Sequence, residues 1–177
     1  MSVVEGFTER NAGFAQDGFD AGLKIMPTAR TIIIGCVDPR VDPGEVLGLE
    51  PGETAVVRNV GGRVTPGLLA ELVMLRKVTQ AAGGDLAAGW NLVVLQHTDC
   101  GITRLDGSPE LLSSFFGVAE DELVAKAIHD PRAAVALDVA ALRAEPGLAG
   151  ETLVSGLVYD VATGLVETVV APAPIRQ

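Results

Sequence analysis

"TIIIGCVDPRVDPGE" (residues 31–45) is the stretch on which the fold turns. Its first six residues form a continuous β-branched, apolar run, the pattern of a strand buried on both faces. Asp42-Pro43-Gly44-Glu45 then reads as a helix start, with Asp at the N-cap, Pro in the first turn and Glu at the third position. A buried strand passing through a short connection into a helix is the opening of an α/β sheet. The connection carries Cys36, Asp38 and Arg40, and a turn needs neither the thiol nor the guanidinium.

The same grammar repeats outward. "TAVVRNV" (54–60) is a second strand closed by Gly61-Gly62, and Thr65-Pro66 opens a helix with an apolar stripe from Leu68 to Val78. That helix stops at "AAGG", and "WNLVVLQ" (90–96) is a third buried strand running straight into His97 and Cys100. Segment 106–130 has a weaker pattern, with Ser108-Pro109-Glu110 opening a helix. Asp130-Pro131 opens another helix, reaching about Ala144, and "LVSGLVYDVATGLVETVV" reads as two strands joined near Ala162-Thr163-Gly164. Residues 1–30 read as an N-terminal helical arm, with helix over 8–22. The expectation is one α/β domain over 1–177, with a central, mostly parallel sheet flanked by helices.

Composition narrows the function classes. The chain has 177 residues, 48% of them apolar, and a formal net charge of -10. Without a Lys/Arg cluster, that charge repels a phosphate backbone, so no nucleic-acid partner is expected. No apolar run has the length of a membrane span, and the first twenty residues lack the basic and apolar regions of a secretory signal. The expected location is cytoplasmic, where two cysteines serve as thiolates or core residues rather than as a disulfide framework.

In parallel sheets ligands gather beyond the strand C-termini, and Cys36 and His97 stand at two such ends. His97 and Cys100 are spaced H-x-x-C, about one turn apart, so both can face one ion. Two thiolates and an imidazole suit Zn²⁺, and three protein ligands leave one position open, as catalytic sites do. Water held there has its pKa lowered to about 7. On an extended segment Cys36, Asp38 and Arg40 share a side, so Arg40 can hold the Asp38 carboxylate while Asp38 orients the nucleophile. Asp38 could instead be the fourth ligand and close the site. Taken singly, each residue has a plainer reading: core thiol, satisfied histidine, turn acid, surface charge. A metal-free thiol pair, or a cysteine nucleophile activated by His97, is the competing chemistry. His129 reads as a solvated histidine at a helix start, Trp90 as packing, and Asp99 and Asp106 as loop or cap acids.

"CVDPRV", "GETAVVRNVGG" and "LQHTDCG", with "GLVYDVATG" near the end, resemble the β-class carbonic anhydrases, most closely a short bacterial branch. The resemblance implies reversible hydration of CO₂ to bicarbonate and a proton by zinc hydroxide. It implies Cys36, His97 and Cys100 as zinc ligands and Asp38–Arg40 as the dyad that orients the hydroxide. It further implies the Gly101 N–H as a donor to substrate, and a homodimer or higher assembly embraced by the N-terminal arm. The same family resemblance includes hydrolases of COS and CS₂, which makes those substrates the first alternative. A non-catalytic zinc protein or thiol redox sensor is the second. Three positions depart from the family pattern. Pro27 stands where many members place a substrate-orienting Gln. Ile33 replaces the Trp of a regulatory bicarbonate site, so none is expected. Gln96 replaces the Gly before the ligand His, which places a polar side chain toward the metal.

Overall fold

The computed structural model describes residues 2–85, 89–148 and 150–175. Strands β1 (Thr31–Cys36), β2 (Ala55–Asn59), β3 (Asn91–His97), β4 (Leu153–Asp160) and β5 (Leu165–Pro174) form one sheet in the order β2-β1-β3-β4-β5. The first four are mutually parallel, and β5 returns antiparallel along β4 through the turn at 161–164. This is the expected mixed, mostly parallel architecture. The chain order reverses between β1 and β3, so their C-terminal ends form the crevice where parallel sheets take ligands.

Helices α3 (Pro66–Ala81) and α5 (Pro131–Ala144) press their apolar sides onto one face of the sheet. Ile32, Ile34, Leu92, Val94, Val154 and Val158 point into this layer at alternate positions and meet Leu68, Leu72, Val135, Val139 and Leu142. Each such side chain contributes roughly 1.5–3 kcal/mol when fully buried. The caps stand where the sequence places them. Thr65 accepts from Leu68 N–H, Asp130 accepts from Arg132 and Ala133 N–H, and Asp42 accepts from Gly44 N–H to start the short α2 (Pro43–Leu47). A further helix, α4 (Pro109–Phe116), covers the thiols from the side. No helix among the described residues is long and apolar enough to cross a membrane.

Two expectations shift. The N-terminal helix α1 occupies Val3–Asp17 rather than 8–22, because Ser2 and Glu5 form a capping box and the chain leaves the helix at Gly18. None of its residues is buried, and Phe7 and Phe14 are 57% and 54% exposed. The segment after Cys36 is not extended. Pro39–Val41 forms a 3-10 turn with Asp38 as its cap, the Asp38 carboxylate accepting from the Arg40 N–H. Arg40 therefore reaches Asp38 around a turn, not along one side of a strand.

Candidate metal centre

Cys36 ends β1, His97 ends β3, and Cys100 follows one short loop later. Their ligand atoms lie within 4.8 Å of one another, and all three residues are buried. The two sulfurs are 3.8 Å apart. The backbone N–H of Asp38 points at Cys36 Sγ at 3.4 Å. The neighbouring Cys100 thiol above all, helped by this N–H, holds the Cys36 thiol far below its ordinary range, while the hydrogen bond with Cys36 and burial push the Cys100 thiol up.

His97 carries the clearest signal. A carbonyl can only accept, so Nδ1–H donates to the Thr98 carbonyl at 2.9 Å, which leaves the lone pair on Nε2. Nε2 is buried and has no hydrogen-bond partner among the described residues. An orphaned buried nitrogen is costly unless something electrophilic meets it, and here it faces two sulfurs. Backbone fixing of the second ring nitrogen is the usual outer support of a ligating histidine. Two sulfurs and one imidazole in this arrangement fit Zn²⁺ by donor type and number.

Asp38 lies outside this cluster of ligand atoms. Its two carboxylate oxygens take Arg40 Nη2 at 2.7 Å and Nε at 3.1 Å, a paired grip that holds its carboxyl down to about 2. Arg40 also reaches across to Asp99, from Nη1 to Oδ2 at 2.9 Å and from Nη2 to the carbonyl at 2.9 Å. Gly101 opens a 3-10 turn over 101–105 and is exposed at the rim.

Several contributors were not visible in the sequence. Arg58, in the "VVRN" strand, clamps the turn that holds Asp38. It donates to the Cys36 carbonyl at 2.8 Å, the Asp38 carbonyl at 2.8 Å and the Asp42 carboxylate at 2.5 Å. Only its pairing with Asn59 as "RN" marked it. Gln96 does not turn toward the metal cluster. Its amide donates to the Gly62 carbonyl at 2.7 Å and to Asp138 at 3.3 Å, because a buried amide seeks acceptors and α5 provides one. Asp138 in turn receives Arg63 Nε at 2.7 Å, a pair with side chains only 2% and 5% exposed. Burial pushes the Asp138 carboxyl up, and Arg63 opposes that. Gly62 has φ +60, and a Cβ there would sit 2.8 Å from Cys36 N, so the backbone passes β1 where only glycine fits.

His129 is exposed and pairs with Asp106 at 2.8 Å. Together with His97, Asp99, Cys100 and Thr103 it borders a cavity of about 30 Å³. A separate cavity of about 140 Å³ is lined by Val60, Ile102, Leu105, Leu111, Leu112 and Phe115. Ile102 and Leu112 also belong to the apolar cluster that encloses both sulfurs.

A family model described as Carbonic anhydrase matches residues 31–166. Beta-carbonic anhydrase 1 of Mycobacterium tuberculosis is 27% identical over 169 residues, covering 93% of this chain and 96% of that protein. Carbon disulfide hydrolase of Saccharolobus solfataricus is 34% identical over 104 residues, 57% of this chain and 47% of that protein. Among solved structures, the carbonic anhydrase of Streptococcus mutans superposes with a TM-score of 0.73 at 32% identity, covering 96% of this chain and 98% of that one.

Proposed function

The chain belongs to the β-class of the carbonic anhydrase family of enzymes, and from that premise we propose that it catalyses CO₂ + H₂O ⇌ HCO₃⁻ + H⁺ at a zinc ion held by Cys36, His97 and Cys100. The observation that carries this reading is the buried, unpartnered Nε2 of His97 facing two sulfurs. When bound, Zn²⁺ supplies Lewis-acid activation of water near neutral pH.

The remaining work falls to the chain. Asp38, fixed by Arg40 through both oxygens and ionised throughout the neutral range, accepts a hydrogen bond from the attacking oxygen and so aims its lone pair at the substrate carbon. With both oxygens on Arg40, Asp38 acts here as an orienting acceptor and not as a fourth ligand. Arg58 keeps the Asp38 turn in register with the end of β1. The Gly101 N–H, next to the second thiolate, donates to a substrate or bicarbonate oxygen. The apolar cavity beside Ile102 suits a linear, uncharged substrate.

The kinship to a carbon disulfide hydrolase favours one second reading, hydrolysis of CS₂ or COS at the same centre. These molecules present the same kind of electrophilic carbon. The exposed Phe7 and Phe14 of α1 favour a homodimer or larger assembly in which that helix lies on a second copy. Two buried free thiols favour a reducing compartment such as the cytoplasm.

Zinc content and stopped-flow hydration decide the matter together. About one zinc per chain, lost in Cys100→Ser and His97→Ala, is expected alongside CO₂ hydration faster than COS or CS₂ hydrolysis. A zinc-loaded chain that hydrates no CO₂ between pH 7 and 9 refutes the proposal, and turnover of COS or CS₂ by that chain selects the second reading.

A further inference from the structure

Arg40 is gripped from two strand ends at once. From the β1 side, Asp38 accepts from Nε and Nη2. From the β3 side, the carboxylate and the carbonyl of Asp99 accept from Nη1 and Nη2. The other Asp99 oxygen takes Arg104 Nη2 at 3.2 Å. Asp99 lies between His97 and Cys100 with φ +52, a left-handed conformation uncommon for residues other than glycine, although Asp tolerates it better than most. One residue thus offers two acceptors to a single guanidinium across the crevice.

We infer that Asp99 is a positioning residue: it fixes the far side of the Arg40 guanidinium so that the Nε–Nη2 edge stays on Asp38 and the Asp38 carboxylate stays turned to Arg40. The Arg40 side chain is 48% exposed, and a solvated ion pair with a single neighbour two residues away is a weak restraint on so long a side chain. A second anchor from a different strand end removes rotation about the guanidinium stem. It also ties the Cys36 loop to the His97–Cys100 loop outside the ligand cluster. The inference rests on the proposed hydration only for its effect on turnover, because the hydrogen bonds themselves can be read without any reaction.

The test compares wild type with Asp99→Gly, which removes the carboxylate and suits the left-handed backbone, and with Asp99→Asn, which keeps one acceptor oxygen. The first readout is solvent exchange of the Arg40 Nε–H, measured by ¹⁵N NMR in metal-free and zinc-loaded protein. It should quicken on the order of five-fold in Asp99→Gly and less in Asp99→Asn. The second is steady-state hydration. kcat should fall about ten-fold in Asp99→Gly, with KM within about two-fold and zinc content unchanged. Arg40→Ala/Asp99→Gly should be no slower than Arg40→Ala alone, since Asp99 acts through Arg40. Unchanged Nε–H exchange, loss of zinc from Asp99→Gly, or additive effects in the double variant would each overturn the inference. Faster exchange in a chain whose wild type hydrates no CO₂ supports Asp99 as positioning residue while removing the proposed reaction.

Discussion

Replacing Asp138 by Ala removes one half of a pair sealed under the β3 end. The Arg63 guanidinium, 2% exposed, would keep the Lys126 carbonyl at 2.8 Å and the face of Phe116, 5.0 Å away. It would lose the Asp138 carboxylate, contacted at 2.7 and 3.4 Å, and Gln96 would lose an acceptor at 3.3 Å. Arg cannot shed its proton, so the charge stays buried and uncompensated. Breaking such a pair costs about 3–5 kcal/mol, a large part of the roughly 5–15 kcal/mol that holds a domain together. Trp90, the single tryptophan, is 4% exposed and reports unfolding by fluorescence in urea. With a urea slope of about 2 kcal/mol/M, the midpoint should fall by roughly 2 M at fixed chain and metal concentration. Arg63→Met/Asp138→Leu, which removes both charges, should recover most of that loss. A midpoint shift under about 0.5 M for Asp138→Ala would refute the claim that this pair is closed to solvent. A double variant no better than the single would refute the charge argument.

Arg40→Ala should keep its zinc, by metal analysis, while hydration falls by about two orders of magnitude, because the Asp38 carboxylate loses both of its guanidinium contacts. Gly62→Ala combines a positive φ with a Cβ 2.8 Å from Cys36 N, so its thermal midpoint should fall by the equivalent of at least about 2 kcal/mol, and its zinc affinity with it. Arg40 depresses the Asp38 pKa from 3.8 to about 2. The stability this contributes is therefore complete above about pH 4 and is lost as pH falls toward 2, and the thermal difference between metal-free wild type and Asp38→Asn should follow that window. It also means that hydration activity should show no ionisation of Asp38 between about pH 5 and 9.

The elements that sequence reading recovers are those whose signals are local. The Asp42, Thr65 and Asp130 caps each sit next to the prolines that announced them, and the buried strands announced themselves as short β-branched runs. The candidate metal cluster is legible because thiol, imidazole and H-x-x-C spacing are rare together at strand ends. What stayed hidden depends on residues far apart in the chain. Arg63 and Asp138 are separated by 75 residues, and nothing in the period of either helix or strand couples them. Asp99 looked like a loop acid because its partner comes from the β1 side, 59 positions earlier. Gln96 turns away from the metal cluster because its acceptor Asp138 comes from α5, 42 residues farther along the chain. The N-terminal helix starts earlier than its apolar spacing suggests because Ser2 and Glu5 form a capping box.

The spread of the candidate ligands along the chain has a consequence for the unfolded protein. Cys36 and Cys100 lie 64 residues apart, and β2 and α3 fill the interval. An ion gripping both sulfurs would close that interval into a ring, as a cross-link does. By chain-entropy reasoning such a ring destabilises the denatured ensemble by about 4 kcal/mol, before any bond energy is counted. A chelator would thus strip the protein of a topological restraint as well as a reagent. The melting temperature of the demetallated chain should drop even in variants that have already lost all activity.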